Sequence, residues 1–170
     1  DEGIPAQPVC DLVKVRDTHW QPAIEAYLRS NLEALLVPEA HEQRAVKLYR
    51  ALGGGRAVYG VKLALSSQAR GGRGADHPAT GSVAALLEGD NAPALAFLRR
   101  QLGDLPCVET EVELIASRQG LTRDGMLAKG GSIERLRLPA ASELKIGAKD
   151  NRNHARVLRE DIEAASNDVH

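Results

Sequence analysis

The feature that most constrains this chain is a repeating pattern near its C-terminal end. Between positions 151 and 169, small or apolar residues and one Asn recur at intervals of four and three: Asn151, Ala155, Leu158, Ile162, Ala165 and Val169. This alternation is the spacing of a coiled-coil seam, and charged residues stand on both sides of it. Because the apolar stripe is narrow, such a helix needs a second helix to cover it. The pattern predicts a coiled-coil helix over 148–170, with a seam formed by Ala155, Leu158, Ile162 and Ala165.

The partner helix is expected upstream in the same polypeptide. The chain begins at Asp1 without a Met, which suggests a piece of a longer protein. Pro5 and Pro8 stand among its first residues, where they would end an incoming helix. We therefore expect a body over residues 1–147 at the tip of an antiparallel coiled-coil hairpin, and the start of the returning arm over 148–170.

The composition favours a cytoplasmic globular protein. The net charge is −1, 26% of the residues are charged, and no apolar run is long enough to cross a membrane. Cys10 and Cys107 lack the spacing of a zinc site or a disulfide framework, so we expect two free thiols. Residues 118–159 carry ten Lys or Arg against four Asp or Glu. This basic segment could face a polyanion or could be a solvated surface.

The N-terminal half is predicted to run β-α-β-α-β. The stretch PVCDLVKVRD alternates like a largely buried strand, and EALLVP and RAVYGVKLALS are the second and third strands. Two amphipathic helices lie between them. The first is capped by Asp17 or Thr18, with Gln21 completing a capping box, and buries one face: Trp20, Ala23, Ile24, Tyr27 and Leu28. The second is predicted to bury Ala45, Leu48, Tyr49 and Leu52.

The C-terminal half is predicted to contain a hairpin, which makes the fold class mixed α/β. A glycine-rich loop over about 66–81 separates the halves and is followed by two helical pieces. The segment PCVETEVELIASRQG fits either a strand or a helix. After it, GLTRDGMLAKGGSIERLRL reads as a strand, an Asp124-Gly125 turn and one return strand, which ends in an alternation around Ile133.

Motifs for catalysis and cofactor binding are absent from the sequence. No phosphate-binding loop, nucleophile elbow or metal-spaced His/Cys cluster occurs, so we predict no catalytic residue, no cofactor and no metal. Two alternatives stay open. One is a small α/β enzyme with Cys107 or Asp124 in a cleft, and the other is a dimerisation adaptor set on a coiled coil.

Four stretches, in order along the chain, resemble the hinge domain of SMC-type ATPases: PVCDLVKVRDTHWQPAIEAYLRSNLEALLV, GGRAVYGVKLAL, LTRDGML and the GGS that follows it. The heptad helix stands where the returning coil of that family begins. After Gly131, however, the chain reads SIERLRLPAASELKIG instead of the usual Thr-Gly-Gly signature. This departure and HWQPAIEAYL are more similar to the SMC-like subunit of bacterial Wadjet anti-plasmid systems (JetC) and its MukB-like relatives.

The resemblance implies a homodimer that joins two coiled-coil arms. The ATP-binding heads would lie outside this chain, so the domain itself would not be an enzyme. The complex would handle DNA, in Wadjet by loop extrusion that lets a partner nuclease cut plasmids, and would be associated with the nucleoid. The domain's partners would be a second copy of itself and its own upstream arm, with no membrane.

Two sets of site residues follow from this interpretation. Pairing of sheet edges in CVETEVELIA and MLAKGGSIERL would form the dimer interface, with these candidates: Gly130, Gly131, Val112, Leu114, Met126 and Leu127. The two glycines would either admit a second backbone or serve a turn within the chain. Salt-dependent DNA contacts to phosphates are predicted at Arg70, Arg73, Arg118, Arg123, Lys129, Arg135 and Arg137.

Overall fold

The computed structural model describes residues 3–52, 60–69 and 77–148. The predicted coiled-coil seam, Arg70 and Arg73 lie outside the described residues. In chain order the strands and α-helices are β1 (Gln7–Pro8), β2 (Lys14–Val15), α1 (Gln21–Leu28), β3 (Leu35–Val37), α2 (Glu42–Ala51), β4 (Leu63–Leu65), α3 (Ser66–Ala69), β5 (Leu87–Glu88), α4 (Ala92–Leu102), α5 (Glu111–Ala116), β6 (Gly120–Leu121), β7 (Met126–Lys129) and β8 (Ser132–Arg135).

The first sheet has the strand order β1-β3-β4. Strand β3 runs parallel to β4, and α2 connects the two, as predicted for a β-α-β unit. Strand β1 is antiparallel to β3. The predicted first strand over PVCDLVKVRD is wrong as a single element. A 3-10 turn at Val9–Asp11 divides it, and β2 pairs with β5 instead.

The main core is built around two helices, α1 and α4. Helix α1 buries Ala23, Ile24 and Leu28, which confirms most of its predicted face. Its predicted capping box is wrong: Trp20 occupies the cap position without a side-chain bond, and the Asp17 carboxylate accepts a hydrogen bond from His19 N at 3.0 Å. Helix α4 is capped by the Asn91 side chain, which accepts from Ala94 N at 3.0 Å. The cap fixes the start of α4, and its apolar residues, Leu98 and Leu102 among them, are buried in the core.

Helix α2 packs differently from the prediction. Ala45 is buried, but Leu48 is 51% exposed, and Val46 and Leu52 are also exposed. The 3.6-residue spacing predicts that one face of a helix is apolar, but it does not say that the rest of the same chain covers that face. Apolar side chains of α2 are therefore left uncovered by the described part of the chain.

The connection between the halves is shorter than the predicted loop at its N-terminal end. Residues Ser66–Ala69 form α3, and the buried Ala69 packs against Ala96 of α4. The first helical piece after the loop is a 3-10 turn at Val83–Leu86, which leads directly into β5.

The second sheet has the order β6-β7-β8 and is antiparallel throughout. The predicted single return strand is wrong, because Gly130 and Gly131 turn the chain between β7 and β8. Both glycines have positive φ, 61° and 83°, which a tight two-residue hairpin turn requires. The earlier turn is held by Thr122, whose hydroxyl bonds the Asp124 carboxylate and accepts from Met126 N. The ambiguous segment before this sheet is the helix α5.

Candidate functional site

Strand β8 is an exposed edge strand. It ends the β6-β7-β8 order, and within the described residues its outer edge pairs with no strand. All four of its residues are exposed. An edge with free N–H and C=O groups can add a strand from another chain. The MLAKGGSIERL stretch named by the sequence therefore does contain an open sheet edge.

A shallow apolar groove of about 360 Å³ runs between β8 and α5. Its lining comes from both elements and from β7: Leu114, Ile115, Arg118, Ala128, Gly131, Ser132 and Ile133. Ile133 is 48% exposed, Ile115 is 68% exposed, and Val112 on α5 is 76% exposed. Large apolar side chains that cluster beside an open strand edge indicate an interaction surface.

Helix α5 owes its position to local capping. The Thr110 hydroxyl accepts from Glu113 N at 3.2 Å, and the Glu113 carboxylate accepts from Glu109 N at 2.9 Å. Leu114 is buried against Val108 and Ala128 under the helix. Val112 and Ile115, three residues apart, are left on the outside among acidic neighbours. We call β8 and α5 together the acidic surface.

Within the described residues, a second open surface lies on α2 and β4, where β4 ends the β1-β3-β4 sheet. The groove there is about 570 Å³ and is lined by Glu42, Gln43, Val46, Lys47, Arg50 and Leu65. Val46 is the exposed large apolar residue of this lining, whereas Leu48 and Leu52 are exposed elsewhere, on α2 and just after it. Lys47 and Arg50 give it positive charge, whereas Glu42 is bonded to Ser67. We call α2 and β4 together the basic surface.

The predicted interface residues are divided by their burial. Leu114 and Leu127 lie inside the chain's own core, Met126 is half-buried, and Val112 is exposed. Gly130 and Gly131 form the β7–β8 turn, and a Cβ added at either would meet nothing within 4 Å. Sequence reasoning missed Ile115 and did not assign Ile133 to the interface, although the alternation in SIERLRL marks Ile133 as the apolar member of an exposed strand.

The predicted DNA-contact residues do not form one patch in the described part of the chain. Lys129 lies on the α1 side of the second sheet, where its ammonium donates to the Tyr27 hydroxyl at 2.8 Å. Arg135 pairs with Met126 and so shares the opposite, α5 side, as does Arg118 of the groove. Arg137 lines a different cleft, and Arg123 lies near the Asp124-Gly125 turn.

The cysteines do not have the properties of catalytic nucleophiles. Burial, and secondarily the Asp11 carboxylate, raises the pKa of the Cys10 thiol to about 11. Burial, with a smaller effect of Asp17, raises the pKa of Cys107 to about 11 as well. Both thiols are therefore protonated at neutral pH. Asp124, the other residue of the enzyme alternative, is exposed and bonded within its turn.

The described residues hold no group of three or more His, Cys, Asp or Glu side chains placed to bind a metal ion. Among the same residues, no helix has the length and apolar character needed to cross a bilayer.

The C-terminal end of the described body is bonded to the segment that follows β1. Gly147 N donates to the carbonyl oxygen of Cys10 at 3.4 Å, which places the last described residues next to the segment that follows β1. The Lys145 ammonium also pairs with the Glu33 carboxylate at 3.0 Å.

Comparison with solved structures gives SMC hinge domains as neighbours. The hinge domain of the Geobacillus stearothermophilus SMC protein, an asymmetric dimer, has 23% identity and a TM-score of 0.59, covering 96% of this chain and 71% of its own. The Pyrococcus furiosus SMC hinge domain has 21% identity and a TM-score of 0.57, covering 85% and 82%. The Pyrococcus furiosus hinge with an extended coiled coil has 21% identity and a TM-score of 0.58, covering 98% and 62%.

No protein-family model and no curated protein matches this sequence. The structural likenesses show that the chain has the fold of an SMC hinge domain, and the predicted mixed α/β class is confirmed.

Proposed function

We propose that this chain is a homodimerisation domain, the hinge between two coiled-coil arms, and not itself an enzyme. The observation that carries the proposal is the free edge of β8 beside the exposed Ile133 and Ile115. Such an arrangement offers both backbone hydrogen bonds and apolar burial to a second chain. The hinge fold and the dimeric Geobacillus hinge agree with this reading.

The size of the acidic surface argues that it does not act alone. Strand β8 and helix α5 contain ten residues, whereas a stable interface of standard size uses about 20–30 residues on each side. Adding α2 and β4 brings the total to twenty-three residues. Three of these, Ala45, Ala64 and Leu114, are buried, which leaves twenty. A two-fold dimer in which the acidic surface of each copy meets the basic surface of the other would use the exposed and half-buried residues of both.

The charges of the two surfaces favour this arrangement. By element, the formal charge of the acidic surface is −2, from Glu111, Glu113 and Glu134 against Arg135, and that of the basic surface is +2, from Arg44, Lys47 and Arg50 against Glu42. Glu109 before α5 and Arg118 after it offset each other. Opposite charges across an interface steer association and fix its register, while like charges oppose the pairing of a surface with itself. Acidic against basic is therefore the better match than acidic against acidic.

The contact between Gly147 and Cys10 supports the arm arrangement. With these two residues bonded, an arm leaving after the body would begin near the N-terminal segment of the chain, which an arriving arm would join. We place the hinge body at 1–147 and the start of the returning arm at 148–170, with the seam at Ala155, Leu158, Ile162 and Ala165.

The finer part of the proposal rests on the sequence resemblance. The parent protein would be a cytoplasmic, nucleoid-associated SMC-like ATPase that handles DNA, most similar to the JetC subunit of Wadjet anti-plasmid systems. Any contact of this domain with DNA would be to phosphates through Arg118, Arg123, Lys129, Arg135 or Arg137, with Arg70 and Arg73 as further candidates. A filter-binding titration at low salt tests that contact, and absence of binding there would remove it.

The test of dimerisation is the solution mass of the 18.2 kDa chain, measured by light scattering over a dilution series. We expect a mass of twice the monomer that persists on dilution. A monomer at every concentration, both for this chain and for a longer chain that includes both arms, would contradict the proposal.

A further inference from the structure

A buried carboxylate on α1 binds the backbone of the segment that leaves the domain. Glu25 is only 5% exposed. Its Oε1 accepts from Lys145 N at 2.7 Å, and its Oε2 accepts from Ile146 N at 3.1 Å. The side-chain amide of Gln21 donates to the same Oε2 at 2.8 Å. Both oxygens of this carboxylate are thus occupied by N–H donors, two of which come from consecutive residues 120 and 121 positions further along the chain.

Gln21 completes the binding from the other side. Its amide nitrogen also donates to the carbonyl oxygen of Ile146 at 2.9 Å. Two side chains one helical turn apart on α1 therefore satisfy three backbone groups of Lys145 and Ile146. These three hydrogen bonds are made to backbone atoms, so they do not involve the side chains of residues 145 and 146. Among the described residues no strand pairing includes this segment.

The rest of the segment is lightly attached. We call residues 139–148 the strap. Ile146 is its only buried residue, and the remainder is exposed or half-buried. Clefts of about 550 and 610 Å³ lie on either side, and Lys145 lines both of them. Its other tertiary bonds to described residues are the long Gly147–Cys10 contact and the exposed Lys145–Glu33 ion pair, which contributes little.

We propose that Gln21 and Glu25 form a clasp that sets where the chain leaves the domain, and that the strap opens as a unit when the clasp releases. Opening withdraws Ile146 and two backbone N–H groups but leaves α1 and α4 packed, so it is a local event of lower free energy than unfolding. The clasp lies within one chain and does not depend on dimerisation. Its physical consequence is that the strap has two states, held and released.

Amide hydrogen exchange of the unaltered 170-residue chain is the first test. We expect the Lys145 and Ile146 amides to exchange together, at a rate between that of exposed loops and that of the α4 amides around Leu98. Exchange of both amides at the slow rate of α4 would mean that the strap opens only on global unfolding, and would overturn the proposal.

The second test is the variant Glu25→Gln. The amide keeps the size of the side chain but replaces one acceptor oxygen with a donor, so one strap N–H loses its partner. We expect about tenfold faster exchange at 145 and 146 and about tenfold faster trypsin cleavage of the Lys145–Ile146 bond. The exchange of α4 and the solution mass should stay unchanged.

The chain offers a matched control in Glu33→Gln. This variant makes the same chemical change in a carboxylate that contacts the same lysine, but at the exposed side chain instead of the backbone. We expect less than a twofold change in exchange at 145 and 146. An equal effect of Glu33→Gln and Glu25→Gln would show that the backbone bonds of Glu25 do not hold the strap.

Two results with Glu25→Gln would contradict the proposal. Faster exchange throughout α4 would mean that Glu25 stabilises the whole core, and unchanged exchange at 145 and 146 would mean that Glu25 does not hold the strap.

If that variant fails to fold, Gln21→Leu serves instead. Gln21 is half-buried, and its loss removes the bond to Ile146 O while leaving the carboxylate. We then expect about threefold faster exchange confined to the strap, and an unchanged rate would contradict the clasp.

Discussion

The acidic and the basic surfaces have the same plan but opposite charge. Each is an edge strand of a three-stranded sheet flanked by a helix that exposes apolar side chains. On the acidic surface the helix is six residues long, whereas on the basic surface it is ten residues long. Two surfaces that both expose apolar groups but differ in sign fit each other better than either fits itself. The comparison indicates an interface made of unlike halves.

The largest effect on the proposed pairing of the two surfaces is expected from a charge placed within the acidic surface. Ile133→Lys puts an ammonium where we expect an apolar contact, and a desolvated charge without a partner is costly. We expect the dimer to weaken about 100-fold, which is about 2.7 kcal/mol, by sedimentation equilibrium. Because Ile133 is exposed in the single chain, the thermal midpoint of a diluted, monomeric sample should barely change.

The matched control is Ile133→Val, which keeps a β-branched apolar residue in the strand. We expect it to weaken the dimer by less than about fivefold, as the loss of one methylene contributes about 0.8 kcal/mol. If Ile133→Lys leaves the dimer intact, β8 does not belong to the interface.

Charge reversal tests whether the acidic surface of one copy pairs with the basic surface of the other. Lys47→Glu with Arg50→Glu should weaken the dimer about tenfold at low salt, because acidic groups would then face Glu109 and Glu111. Combining these changes with Glu109→Lys and Glu111→Lys should restore most of the affinity. Glu113 is left unaltered since its carboxylate caps α5.

The rescue distinguishes a direct pairing from a general charge effect. The loss and the rescue should both shrink as salt rises, because exposed charges are screened beyond a Debye length of about 8–10 Å. A basic-surface variant that is not rescued by the acidic-surface changes would mean that the two surfaces do not meet.

Substitutions of Gly130 distinguish a role in the turn within the chain from a role in the contact between chains. Gly130→Val forces a β-branched residue to φ of 61° and should lower the free energy of unfolding by about 1–3 kcal/mol. Gly130→Asn tolerates the left-handed conformation and suits the first position of a type I′ turn, so stability should stay within about 1 kcal/mol. Urea unfolding measures both. A dimer lost with Asn at unchanged stability would place Gly130 in the interface itself.

The smallest effect is expected on the basic surface, at Leu48. With 51% of Leu48 exposed, Leu48→Ala should change the free energy of unfolding of the monomer by no more than about 0.5 kcal/mol. The buried face predicted from sequence would instead imply a loss of about 2–5 kcal/mol, as for a core leucine. Urea unfolding at low concentration tells the two apart.

Sequence periodicity was reliable where the chain covers its own apolar face. Helix α1 and helix α4 have nearly the predicted positions, since Ile24, Leu28 and Leu98 pack on one another in one core. It was wrong for α2, because the spacing of Ala45 and Leu48 is the same whether a face is covered by this chain or by a second one. The sequence left two readings of Gly130 and Gly131 open, since a hairpin turn and a close approach between chains both favour glycine.

The candidate site was predictable in part. The sequence named the stretch that contains β8. Of the named residues, Gly130 and Gly131 in that stretch and Val112 on α5 are exposed. Leu114 and Leu127 were named with them but are buried, because sequence alternation does not tell which side of a strand or helix the core occupies. Ile115 was not selected with Val112 and Leu114, which alternate as in a strand, because its exposure follows from the helix that the segment forms.

The amino-acid sequence by itself determined the mixed α/β class, the order of most elements and the likeness to a hinge, because these depend on local periodicity, turn residues and their succession along the chain. Only the tertiary structure decided which apolar faces stay open, that the two open surfaces carry opposite charge, and that Glu25 holds the backbone of Lys145 and Ile146. The reason is physical. Burial and hydrogen bonding between residues more than a hundred positions apart follow from how elements pack, and no local pattern records that packing.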